Sequence, residues 1–236
     1  MGAKVSKWEA ELWHYISLGD SKRCPLYDYC QTGQNGVGCF HGETENRDIH
    51  RIHRFIDSDE IDFSKNENIH IKFPSCQRSA KIFGLVSKLA LKYRGRKWLN
   101  SLPVPDNLVL LADDNLPIEI RRVPLRANHG AVWRLSDCWM IHLNKNDPPA
   151  RQRFTLYHEV FHILSHCHAF SVFKRTVSTE VYYNEILADH FATNVLLPQK
   201  SVAARWAEIN DVNEMAAIFD VPESVMYIGL KIMRLI

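Results

Sequence analysis

The chain has 236 residues, 46% of them hydrophobic and 24% charged, with a formal net charge of +2 and a pI near 8.2. That length suits one or two domains with a sizeable core, and the composition is that of an ordinary globular chain. The charge is too mild to argue for nucleic acid or an anionic membrane surface, and no apolar run approaches the ~20 residues of a membrane span.

The N-terminus, MGAKVSKWEAELW, lacks the apolar core of a signal peptide, so the expected compartment is the reducing cytosol. Met1–Ser6 fits the loose N-myristoylation pattern, read here as a coincidence in a short motif. Residues 8–18 set Trp8, Leu12, Tyr15 and Ile16 at helical spacing. A glycine-rich, irregular stretch follows, with Cys24, Cys30 and Cys39, and then a polar stretch over residues 44–70. Cys24, Cys30, Cys39 and His41 are a candidate structural zinc site, because so glycine-rich a segment lacks the apolar surface to fold by burial alone. Cys76 competes with His41 as the fourth ligand. An iron–sulfur cluster, redox-sensing thiols or free cysteines are the alternatives, and Cys138 and Cys167 complete the six. Residues 1–76 are therefore expected to form a Cys/His-containing segment that binds metal or regulates, and residues 77–236 a separate domain.

Residues 77–93 place Ile82, Phe83, Val86, Leu89, Ala90 and Tyr93 on one helical face. The basic run 94–97 reads as a solvated helix end, with phosphate contact as the rival reading. Residues 107–144 look like short strands: 117–123 alternates, and 131–135 and 138–143 are joined at Ser136-Asp137 as a hairpin. One helix is expected from near Ala150, a second over about 180–197 ending at Pro198, and a final helical pair over 201–236 broken at Asp220-Val221-Pro222.

The first of these helices contains FTLYHEVFHIL, residues 154–164. His158 and His162 are four apart, so both imidazoles lie on one face, one turn apart, and can meet a single ion. Glu159 sits about 100° round the helix, where it can flank that ion without ligating it and act on a water as a general base. A core helix with two hydrogen-bonded histidines would carry the same apolar neighbours. His166 cannot join His158 on one ion, since eight residues at 1.5 Å rise separate them by ~12 Å; His166 and His168 read as surface or helix-end residues. The second helix, NEILADHFATNVLLP over 184–198, offers Glu185 as third ligand and Asp189, one turn on, as acceptor for a ligand histidine's other N–H. Ala188 and Ala192 beside these acids permit close helix approach, whereas a merely solvated acidic face has no use for them.

FTLYHEVFHIL followed by NEILADHFATNVLLP resembles the ImmA/IrrE family of zinc metallopeptidases with gluzincin-like sites, and the resemblance extends over roughly 77–236, including VPL at 123–125, Gly130-Ala131 and RFTLYHE. It implies an α+β, zincin-like fold with active-site helices on a small sheet, to which this chain adds the irregular Cys-rich N-terminal segment. It also implies a catalytic zinc on His158, His162 and Glu185, Glu159 as general base, and Asp189 at a supporting position. A cytoplasmic protease that cuts a helix-turn-helix repressor, releasing a stress, mobile-element or defence programme, is the activity the resemblance carries. Tyr182, Tyr183 and His190 are candidate oxyanion donors, and the strand near Trp139–Leu143 a candidate partner for an extended substrate. A thiolate from Cys24, Cys30, Cys39 or Cys76 on the open zinc position would make the enzyme self-inhibited. The rival functions are a non-cleaving zinc-containing regulator that binds a repressor or nucleic acid, and a zinc hydrolase acting on something other than peptides.

Overall fold

The computed structural model describes residues 5–18, 77–95, 102–126, 128–168 and 179–236. The cysteine and histidine positions Cys24, Cys30, Cys39, His41 and Cys76 lie outside the described residues, as do Arg96, Lys97 and the side chains of Cys167, His168, Tyr182 and Tyr183.

Helix α1, Lys7–Leu18, opens with half of a capping box: the Glu9 carboxylate reaches back to accept the Ser6 backbone N–H at 3.0 Å and the Ser6 hydroxyl as well. Leu12, Trp13 and Ile16 form its buried face, which packs on α2, Gln77–Arg94. Lys92 pairs with Glu9 and Lys81 with Glu11 across that contact. On α2 the expected face is buried from Ile82 to Ala90, and Tyr93 is half-buried with its hydroxyl donating to the Leu108 carbonyl. Arg94 departs from the expected solvated end. It is buried, and Tyr157 lies close enough to favour its charge while burial opposes it.

Asp106–Leu111 is a 3-10 helix rather than a strand. Leu108 and Val109 are buried while Leu110 and Leu111 are exposed, so the segment has no two-residue alternation to fit a sheet. Three strands follow: β1, Ile118–Val123; β2, Gly130–Arg134; and β3, Trp139–Asn144. The order is β1-β3-β2, with β3 parallel to β1 and antiparallel to β2. The hairpin at Ser136-Asp137 is closed by the Leu135 N–H to the Cys138 carbonyl at 2.9 Å. β3 is therefore central, with ladders on both sides, and the strand expected to receive substrate has no free edge.

Helix α3, Pro149–His168, begins with a proline at its first position, where the missing N–H is no loss, and packs on β2 and β3. Helix α4, Thr179–Leu196, lies against both α2 and α3. From Leu187 to Leu197 almost every α4 side chain is buried, so it is a central helix rather than an amphipathic one. Pro198 ends it. The expected C-terminal pair is three helices: α5, Gln199–Ile209; α6, Val212–Phe219; and α7, Glu223–Ile232. The extra break sits at Asn210-Asp211. Asn210 takes the left-handed conformation (φ 49°) that closes α5, and the Asp211 side chain accepts the Glu214 N–H at 2.8 Å to open α6. The resulting arrangement is α+β, one core shared by helices on a small mixed sheet. Among the described residues no helix is long and apolar enough to cross a membrane.

Candidate metal centre

The α3–α4 contact brings the chemically loaded side chains together. On α3, Phe154, Tyr157, Val160, Phe161 and Leu164 are buried and hold the helix in the core, which leaves His158, Glu159 and His162 little choice of orientation. On α4, Ala188 and Ala192 are fully buried, and their small size lets the helices close. Glu185 and Asp189 then face the two histidines.

The distances form a compact set. His158 Nε2 and His162 Nε2 are 3.1 Å apart, His158 Nε2 and a Glu185 carboxylate oxygen 3.1 Å, and His162 Nε2 and the other Glu185 oxygen 3.5 Å. Ligands ~2.0–2.1 Å from a tetrahedral ion stand about 3.4 Å from one another, so the three separations are those of donors around one small cation. Two imidazole nitrogens and a carboxylate oxygen converging in this way are a donor set that can hold a metal ion. The Glu185 side chain is 33% exposed, so the centre is open to solvent from the α4 side.

Asp189, almost fully buried, lies 2.8 Å from His158 Nδ1. A carboxylate there accepts the Nδ1–H, so that Nε2, the atom that faces His162 and Glu185, is the nitrogen that would give up its proton to a cation. Burial works against a charged His158, but the hydrogen bonds it donates to Asp189 and Glu185 outweigh it and hold its pKa well above the usual imidazole value. Burial likewise opposes ionisation of Glu185, yet His162 and His158 draw its carboxyl far below the usual range. Glu159 is buried too, and there the histidines help less. Burial pushes its carboxyl up, and the two histidines offset this only in part.

Glu159 has a neighbour that sequence reasoning did not give a role. A Cβ added to Gly130, the first residue of β2, would stand 3.0 Å from Glu159 Oε1 and 2.4 Å from the Thr155 methyl. The strand thus approaches the glutamate as closely as it does because residue 130 has no side chain. A glycine at the head of a strand was the available signal.

The family comparison comes down on the same elements. The peptidase family model described as the IrrE N-terminal-like domain matches residues 113–231, half of the chain. The chain belongs to this family. The match takes in all three strands, α3 and α4, and reaches into α7, so the IrrE-like domain contains the whole His-His-Glu group; α1 and α2 precede it. Membership makes this a peptidase-family domain, and its donor set is the kind a metallopeptidase needs. No curated protein matches the chain.

Other candidates stand apart from the centre. His166 packs edge-on against Trp139, ring centroids 5.0 Å apart, and takes no part in the donor group. His190 does not face the metal centre. Its Nε2 meets Ser87 Oγ at 2.8 Å and the Phe83 carbonyl at 3.2 Å on α2, and burial lowers its pKa to about 4. A neutral histidine engaged by α2 is a core residue rather than an oxyanion donor.

Proposed function

We propose that this IrrE-like chain is a zinc-dependent endopeptidase. The observation that carries the reading is the convergence of His158, His162 and Glu185 with Glu159 one residue along the same helix. His158, His162 and Glu185 would hold the ion, and Asp189 would fix the His158 tautomer. A zinc ion bound there would supply Lewis acidity toward a carbonyl and lower the pKa of a nearby water. Glu159 takes the proton from the attacking water and passes it to the leaving amine.

The substrate chain binds as an added strand on β2. The Asn144 N–H donates to the His129 carbonyl at 2.8 Å, and Leu135 to Cys138 in the same register. Antiparallel alternation then makes 131–142 and 133–140 the bonded pairs and turns the backbone N–H and C=O of Gly130 and Val132 to the outer edge. These groups lie beside Glu159, as an extended substrate requires. A helix-turn-helix repressor is the substrate the family resemblance favours, in a cytoplasmic setting. The nucleic-acid alternative loses Arg94, which is buried.

Co-expression with a helix-turn-helix repressor, should an adjacent open reading frame encode one, or otherwise with a panel of such repressors, tests the reading. Wild type should yield a cut repressor, and Glu159→Gln an intact one with metal still bound. An intact repressor with zinc-loaded wild type would instead favour a non-cleaving binder.

A further inference from the structure

The outer edge of β2 carries one more feature. Trp133 is 44% exposed, whereas Met140, directly across the ladder on the same face, is 7% exposed. Gly130 and Val132 turn toward α3, so Ala131 and Trp133 project on the opposite face, together with His142 and Met140 of β3. The Trp133 ring leans toward His142, the partner of Ala131: their centroids are 4.6 Å apart and the rings are inclined at 65°. The indole therefore stands beside Ala131 and forms a step, with a methyl as floor, an aromatic wall, and His142 closing the side toward β3.

This step is continuous with the proposed reaction centre. A Cβ at Gly130 would stand 3.0 Å from Glu159 Oε1, Ala131 is the next residue, and Trp133 lies ~10 Å along at about 3.3 Å per residue. A chain paired to Gly130 and Val132 alternates its side chains in the same way. The one opposite Ala131 projects onto the outer face, and in an antiparallel chain it occupies a non-bonded pair, where side chains come closest.

We infer that Ala131 and Trp133 form a specificity subsite for a large apolar or aromatic substrate side chain, two or three residues from the bond that is cut. The inference rests on the peptidase reading for its orientation, but it predicts selective binding that is separable from cleavage. The wall is a single aromatic face, so the preference for Phe or Leu over Ser at that position is about tenfold.

The test uses the full chain, zinc-loaded, as Glu159→Gln, binding a library of extended peptides. One position should be enriched in Phe, Leu or Trp. Trp133→Ser in that background should abolish the enrichment at unchanged zinc content. Ala131→Leu, which raises the floor and leaves the wall intact, should shift the same position toward small residues. Wild type is then assayed for cleavage of matched Phe and Ser peptides. An identical selection profile in both variants overturns the subsite, as does cleavage of the two peptides at equal efficiency, and the peptidase reading survives either result. Selective binding without cleavage by wild type upholds the subsite and overturns the peptidase reading. Peptides neither bound nor cut overturn both.

Discussion

His158 is held at both ring nitrogens, by Asp189 at Nδ1 and by Glu185 at Nε2, and the two contacts have different consequences. The Nδ1 contact sets the tautomer; the Nε2 contact marks where a cation would stand. Asp189→Asn should keep the fold and weaken zinc binding by about 10–100-fold, since an amide no longer strengthens the imidazole's basicity. Competition with a chromophoric chelator measures this, and an unchanged affinity would show that Asp189 only packs. Glu159→Gln changes neither volume nor the His-His-Glu set. It should lower kcat by about 10²–10⁴-fold, the usual share of a general base, with zinc content unaltered. A comparable loss of zinc would make Glu159 a ligand instead.

At the scale of elements, the site depends on how closely three of them approach. Strand β2 packs closely on α3 at Gly130, where an added methyl would meet the buried, stiff Thr155 side chain and the Glu159 carboxylate. Gly130→Ala should cost about 1–3 kcal/mol in urea unfolding, the range for overpacking, and reduce kcat/KM by displacing the strand edge from the glutamate. Full activity in that variant would detach β2 from the catalytic reading. The N-terminal turn of α3 is anchored differently. Buried Arg153 donates from Nη1 to Asp220 at 2.8 Å, at the end of α6, and its Nε stands 2.9 Å from Asp106 Oδ1, an ion-pair contact off the axis of a hydrogen bond. The aspartates are 60% and 45% exposed, so they regain water when the arginine is lost. Arg153→Leu is accordingly expected to cost about 1–2 kcal/mol, less than a fully buried pair. Zinc affinity should be unaffected, because Arg153 is remote from the donors in contact terms; equilibrium unfolding and chelator titration check the two halves.

For the whole molecule, the α2–α4 contact contains an acid-sensitive group. His190 titrates near 4 in the folded chain because burial disfavours its charge, against about 6.5 when unfolded. The unfolded chain thus binds the extra proton first. The stability tied to neutral His190 is fully present above pH 6.5 and is lost as pH falls toward 4, with a slope of up to about 1.4 kcal/mol per unit. Metal-free protein unfolded in denaturant at pH 7.5 and 5 should show this loss, and His190→Gln should show a smaller one. Equal losses in the two proteins would assign the acid sensitivity elsewhere. Ser87, Asn194 and Phe83, which surround the ring, come from α2 and α4 alone, so the effect reports on that helix pair.

The local features were legible in the sequence because they depend on neighbours within one turn. The i, i+4 spacing of His158 and His162, the Glu185–Asp189 pair, the alanines between the helices, the hairpin at Ser136-Asp137 and the stop at Pro198 all follow from helical or strand period. The Asn210-Asp211 cap signal was equally local, and it divides what reads as one C-terminal helix into two. The non-local features were not legible. That β3 is central and β2 an edge strand of the sheet among the described residues depends on β1 pairing parallel to β3 across fifteen intervening residues, since the strand periods alone fit either order. That Arg94 and His190 turn inward, and that Gly130 leaves no room for a side chain beside Glu159, depends on which helix or strand lies opposite. Period determines which residues share a face; only the packing of distant segments decides what that face meets.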